Sequence, residues 1–135
     1  ALDGSLVRRK LGRDADFILI DVHGEATSEK MALGHMVDGR ASMLVGTHTH
    51  VPTADHRILS GGTAYQTDSG MCGDYDSVIG MNKEAATDRF TGRGNSRLSV
   101  ALGAVTICGL LVEADDKGMA RTVRPLRHGG ELARA

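Results

Sequence analysis

The residues best suited to chemistry are Gly46-Thr47-His48-Thr49-His50, two histidines one threonine apart, directly after Ser42-Met43-Leu44-Val45. In an extended chain, residues i and i+2 point to the same side, ~6.5–7 Å apart along the strand. That separation is awkward for two imidazoles meeting at one ion. It suits two ions ~3.5–4 Å apart that take one histidine each. Neutral imidazole nitrogen ligates zinc, iron, manganese and similar ions. An H-x-H pair alone describes surface or hydrogen-bonded histidines equally well. The position of a third histidine separates these readings.

The elements that must position the pair lie just upstream. Phe17-Ile18-Leu19-Ile20-Asp21-Val22 is an almost continuous apolar run, too short for a helix. It reads as a parallel strand buried on both faces and ends at His23-Gly24. Ala26 to Asp38 follows with a helical pattern, Ala32, Leu33, Met36 and Val37 on one face and Glu29, Lys30 and His35 largely off it. Thr27 or Ser28 is the expected cap, and Gly39 the left-handed close. Met43-Leu44-Val45 then delivers the H-x-H. Strand, helix and strand within about thirty residues make a βαβ unit, whose parallel strands bring their carboxyl ends to one sheet edge. His23 is therefore expected to converge with His48 and His50. His35 on the helix, His56 at the start of a hairpin and His128 near the tail read as solvated surface residues.

Downstream, His56–Ser60 and Thr63–Thr67 flank Gly61-Gly62, a hairpin signal. Asp68–Gly73 reads as a glycine-punctuated loop and Asn82–Phe90 as a short helix capped by Asn82. Arg93–Ser96 reads as a turn. Leu98–Glu113 is strand-like, with Gly103 and Gly109 as bend or bulge points. Asp115–Gly118 turns it into an alternating strand over Met119–Leu126, before a weakly held end from Gly129. Leu2, Leu6, Val7 and Leu11 recur at helical spacing, as the close of an earlier helix would.

Composition narrows the function classes. The 135 residues suit a single domain over 1–135, and 41% hydrophobic content is that of a globular chain. A net charge of −1 supplies no electrostatic case for nucleic acid or an anionic membrane, and 3% aromatics leave no stacking platform for single strands. No apolar stretch is long enough for a membrane span. Cys72 and Cys108 lack metal or redox spacing and read as reduced thiols in a cytoplasmic protein.

Asp21-Val22-His23-Gly24-Glu25-Ala26-Thr27-Ser28-Glu29-Lys30, Val45-Gly46-Thr47-His48-Thr49-His50-Val51, Thr53-Ala54-Asp55, Gly61-Gly62-Thr63-Ala64-Tyr65 and Thr67-Asp68-Ser69-Gly70-Met71 follow one another in order. Together they resemble the carboxyl-terminal half of the YmdB-like metallophosphoesterases, bacterial members of the calcineurin-like phosphodiesterase superfamily. The resemblance implies an α/β fold, the βαβ-containing half of a two-sheet sandwich flanked by helices. It implies hydrolysis of phosphodiesters such as 2′,3′-cyclic nucleotides at a dinuclear metal site of iron, manganese or zinc. His23 and His48 would bind one ion and His50 the other. The remaining ligands and the general acid are expected in an amino-terminal half not included in this chain, so the chain alone is expected to be inactive. Either that half or self-association is expected to cover apolar surface. Asp21 and Glu25 flank His23 as groups that could orient it; a solvent-facing or helix-start role suits Glu25 equally. Thr47 and Thr49 are candidate phosphate donors, although strand propensity also explains them. Asp55 and Asp68 read as turn residues, and Gly46, Gly70 and Gly73 as backbone turns near the site. The alternative is a non-catalytic module that binds metal weakly or serves assembly.

Overall fold

The apolar run that opens at Phe17 becomes β1 over Leu19–His23, and the run after Ser42 becomes β2 over Met43–Thr47. The two strands pair in parallel with His23 opposite Thr47, so both carboxyl ends reach one edge, as a βαβ unit requires. These elements belong to a computed structural model that describes residues 9–94 and 97–134. The helical spacing read at Leu2, Leu6 and Val7 lies outside the described residues, as do Asn95 and Ser96 of the expected turn. Leu11 stands in a short turn bridged to Ala15.

The first sheet has the order β1-β2-β4-β3. β4, Ala64–Gln66, runs parallel to β2. β3, Arg57–Ile58, closes the edge antiparallel to it. The Gly61-Gly62 hairpin forms as its sequence predicts, with Gly62 at φ +99°. Asp38, at the end of the helix, holds that hairpin. Its carboxylate accepts from the Gly61 N–H at 2.7 Å and the Thr63 N–H at 3.2 Å.

The connecting helix α1 spans Thr27–Val37, and Gly39 closes it at φ +75°. Two expectations fail here. The N-cap residue is Ala26, with no side-chain cap from Thr27 or Ser28. The buried face carries Lys30, Gly34 and Val37, while Ala32 and Met36 are exposed. Gly34 is buried because the ring of Tyr65 lies across it. A Cβ at that position would stand 2.7 Å from the ring. The core forms between α1 and the sheet from Ile20, Val37, Ala41, Leu44, Leu59 and Tyr65.

β1 is not buried on both faces. Phe17 and Leu19 are 43% and 57% exposed, whereas Ile20 faces the core. In the described chain β1 is a sheet edge covered on the α1 side only. Leu44 and Val45, inside the sheet, are buried as expected.

The second sheet is antiparallel, in the order β5-β6-β7: Gly73–Asp74, Val105–Ala114 and Ala120–His128. β7 lies against β3 and β4, which brings the two sheets together. The strand expected from Leu98 begins only at Val105. Gly109 pairs in register with Leu126, and the irregularity falls at Glu113/Ala114 instead. The helix α2, Lys83–Thr91, starts where Asn82 accepts from the Ala85 N–H at 2.9 Å. The chain is thus a mixed α/β fold of two sheets and few helices. Among the described residues no helix is long and apolar enough to cross a membrane.

Gly34→Ala is expected to cost ~1–3 kcal/mol, the range for overpacking a filled site. The Tyr65 ring cannot swing aside, because its hydroxyl is held 3.0 Å from Thr67 Oγ1. Urea unfolding of the two proteins measures the difference.

Candidate functional site

The carboxyl ends of β1 and β2 place His23 beside Thr47 and His48. His23 Nδ1 lies 3.1 Å from Thr47 Oγ1, and the Thr47 hydroxyl lies 3.3 Å from Asp21 Oδ1. A carboxylate only accepts, so the threonine donates to Asp21 and accepts from the His23 Nδ1–H. That order leaves the His23 Nε2 lone pair facing His48, whose Nδ1 is 3.2 Å away. The rings meet edge to face, centroids 5.0 Å apart. Asp21 is thus linked to His23 through the Thr47 hydroxyl. Glu25 is exposed in the loop before α1.

The H-x-H does not continue the strand. β2 ends at Thr47, and His48 and His50 have φ of +132° and +66°. The extended-chain spacing therefore does not describe these two rings. His48 turns to His23, whereas the His50 Nδ1 donates to the Ile79 carbonyl at 2.8 Å. The Tyr75 hydroxyl lies 3.1 Å from the carbonyl oxygen of His50 and holds the same turn. Burial pushes the Tyr75 phenol well above its ordinary range, so it stays a neutral hydroxyl. Among the described residues no three His, Cys, Asp or Glu side chains form a group able to hold a metal ion.

Thr49 is a loop residue rather than a strand residue. Its hydroxyl donates to the Val51 carbonyl at 3.1 Å and its N–H to Asp68 Oδ2 at 2.8 Å. Asp68 also accepts from the Gly70 N–H at 2.9 Å and from Lys30 Nζ at 3.3 Å, with both charged side chains 1% exposed. Lys30 donates in addition to the Thr47 carbonyl at 2.9 Å. Burial pushes the Asp68 carboxyl up, but the backbone donors of Thr49 and Gly70, with the Lys30 ammonium, outweigh it and hold it below the usual carboxylate range. Asp68 thus does more than the expected turn role, and Lys30, expected largely off the buried face of α1, lies on it. Helical periodicity scores a lysine as solvent-facing; the signal that points inward is its position one turn before Gly34, facing the strand-end glycine Gly46.

Gly46 lets this packing happen. A Cβ there would overlap the Thr67 carbonyl oxygen at 1.8 Å and reach Lys30 Cδ at 2.8 Å. Asp55 anchors the neighbouring loop, accepting from Thr53 Oγ1 at 2.6 Å and from the Thr67 hydroxyl and N–H. His35 and His128 are exposed as expected. His56 departs from that reading, being partly buried with an unpartnered Nδ1. Cys72 and Cys108 are both free, the first exposed and the second buried.

Lys30→Met is expected to destabilise the fold by ~3–5 kcal/mol, since it strands the Asp68 charge in the interior. Guanidinium unfolding at neutral pH measures that loss. A pH effect follows from the depressed carboxyl. The unfolded chain binds the proton more readily, at the ordinary value of ~3.9, so the Asp68 contribution is complete above that pH and vanishes as pH falls through the lower native value. Stability profiles from pH 6 down to 2 are expected to fall less steeply below ~4 for Asp68→Asn than for the parent chain.

The chain matches, over residues 4–126, the family described as YmdB-like protein. A 2′,3′-cyclic-nucleotide 2′-phosphodiesterase from Bacillus subtilis is 54% identical over 101 residues, 75% of this chain and 38% of the relative. A putative phosphatase/phosphodiesterase from Mycoplasma pneumoniae is 42% identical over 106 residues, 78% of this chain and 38% of the relative. The crystal structure of a hypothetical protein from Thermus thermophilus superimposes with a TM-score of 0.79 at 42% identity, over 96% of this chain and 50% of that one. That of a novel phosphatase from Mycoplasma pneumoniae reaches 0.84 at 35% identity, over 95% of this chain and 45% of that one. The chain spans 38% of the length of these curated relatives and no more than half of the solved chains. On the family match and these identities, the chain belongs to the YmdB-like protein family.

Proposed function

We propose that this chain supplies the histidine ligands of a dinuclear, metal-dependent phosphodiesterase whose substrates are small phosphodiesters such as 2′,3′-cyclic nucleotides. The observation that carries the reading is the 3.2 Å separation of His23 Nε2 and His48 Nδ1. Two imidazole nitrogens on one tetrahedral zinc stand ~3.3 Å apart, given Zn–N bonds of ~2.0–2.1 Å. The donor set thus fits one shared iron, manganese or zinc ion. His50 gives its Nδ1–H to a backbone carbonyl, which leaves Nε2 as a free donor for the second ion. The name of the Bacillus subtilis relative supports the substrate class. Two free cysteines suit a reducing, cytoplasmic setting.

When bound, the ions supply Lewis acidity toward the phosphoryl oxygens and a water of lowered pKa. The chain's own residues orient. Asp21 and Thr47 hold His23 as the Nδ1–H tautomer, and Asp68 anchors the Thr49 N–H between the two loop histidines. With their hydroxyls engaged, Thr47 and Thr49 act through position rather than as phosphate donors. Three neutral imidazoles bring no negative charge to two divalent ions, so a bridging carboxylate and a general acid must come from the rest of the relatives' length. The absence of a complete ligand group among the described residues favours a second reading, a non-catalytic metal-binding or assembly module.

Turnover of 2′,3′-cyclic AMP with added manganese, iron or zinc separates the two. The purified chain is expected to show none above background. Supplying the remainder of the Bacillus subtilis relative as a second polypeptide is expected to restore activity. His48→Ala or His50→Ala should then lower it by ~100-fold or more, beyond the loss typical of an orienting group, with His35→Ala unchanged. Metal-dependent turnover by the chain alone, or no rescue by the remainder, would overturn the proposal.

A further inference from the structure

The hairpin after β5 contains a conformational misfit. Val78 and Met81 exchange two backbone hydrogen bonds of 2.9 Å around Ile79 and Gly80. Ile79 has φ +49° and Gly80 φ +91°. Left-handed conformations at both central residues define a type I′ turn, whose first central position favours Asn, Asp or Gly. A β-branched residue there is a genuine outlier. Core packing does not account for the choice, since Ile79 is 56% exposed. The misfit coincides with the carbonyl that receives the His50 ring, 29 residues away in sequence, and His50 is itself at φ +66°. Strain held at two touching residues, each fixed by hydrogen bonds, marks a place where geometry has been imposed.

We infer that the Val78–Met81 turn is a positioning device: it presents the Ile79 carbonyl to His50 Nδ1, locks that imidazole in the Nδ1–H tautomer, and aims a bare Nε2 at a divalent ion. The inference rests on the reading of His50 as a ligand given above. A backbone carbonyl is the acceptor for this task because it cannot rotate independently of the turn. Ser77 supports the turn from below: its hydroxyl accepts from the Gly80 N–H at 2.9 Å and donates to the Asp74 carbonyl. Asp74 Oδ2 in turn accepts from the Gly103 N–H at 2.9 Å, tying the turn to the approach to β6. The orientation of His50 is therefore set by a turn tied to β5 through Ser77 and Asp74, although His50, like His48, is carried on the loop after β2.

The test begins with the metal-free chain, in which imidazole nitrogen NMR reads the neutral tautomer of each histidine. His50 is expected as Nδ1–H; finding it as Nε2–H, or as an equal mixture, overturns the inference whatever its metal behaviour. Zinc titration by calorimetry follows for the parent, His50→Ala, Ile79→Gly and Ile79→Pro, each combined with the remainder of the Bacillus subtilis relative, which supplies the bridging carboxylate. Glycine adopts the turn's φ freely, so Ile79→Gly is expected to stay within about threefold of the parent. Proline holds φ near −65° and turns the carbonyl away. Ile79→Pro is expected to lose ~10–100-fold in affinity, approaching His50→Ala, and to shift His50 toward Nε2–H. An Ile79→Pro that binds zinc like the parent while His50→Ala is weakened would overturn the positioning role alone. A His50→Ala that binds zinc like the parent would overturn the ligand reading beneath it. If Ile79→Pro fails to fold, the His50 tautomer in the parent and in Ile79→Gly decides the matter: Nδ1–H in both is expected, and Nε2–H in either overturns the inference.

Discussion

One buried carboxylate organises this chain. Asp68 accepts the Lys30 ammonium, the Thr49 N–H and the Gly70 N–H, and so joins the helix of the βαβ unit, the histidine loop and the chain leaving β4. Removing two charges from water costs several kcal/mol per ion, a cost offset only when geometry is good and the remaining lone pairs are filled. Here they are filled by backbone donors from the histidine loop and from the chain leaving β4. The pair therefore contributes more to specifying one loop conformation than to net stability. The Thr49 N–H that Asp68 holds lies between the two histidines and anchors their loop at its middle.

That arrangement depends on the backbone coming very close at Gly46. The Thr67 carbonyl and the Lys30 stem occupy the space a side chain would need. Immediately beyond, His48, His50 and Ile79 all adopt positive φ, a conformation disfavoured for residues with a Cβ. Each is restrained by a contact: His48 by His23, His50 by the Ile79 carbonyl, Ile79 by its two-residue turn. The strain is local to the strand ends, while the core between α1 and the first sheet is packed from ordinary aliphatic and aromatic residues.

The two sheets carry different loads. The first holds most of the core and orients His23 and His48. The turn that meets His50 follows β5 of the second sheet, whose β6-β7 hairpin leaves Val105, Ile107, Leu111 and Leu126 about half exposed. Phe17 and Leu19 are similarly open on β1.

The sequence by itself determined the βαβ unit, the Gly61-Gly62 hairpin, the Asn82 cap and the meeting of His23 with His48. All of these rest on local signals: apolar runs of strand length, glycines at left-handed positions, and the rule that parallel strands end on one edge. Family membership was also legible, because its motifs lie in ordered short segments. Tertiary structure alone decided which face of α1 is buried. Lys30 reads as a surface lysine until Asp68, far along the chain, provides its counter-charge. It also decided that β1 is open on one side, since burial of a strand depends on neighbours that its own residues do not encode. The direction of the His50 ring was likewise invisible, because an i, i+2 rule assumes an extended chain and the backbone turns left-handed at His48. The acceptor for His50 is a carbonyl, and every residue has one; only the folded turn at Ile79 brings that particular carbonyl within reach.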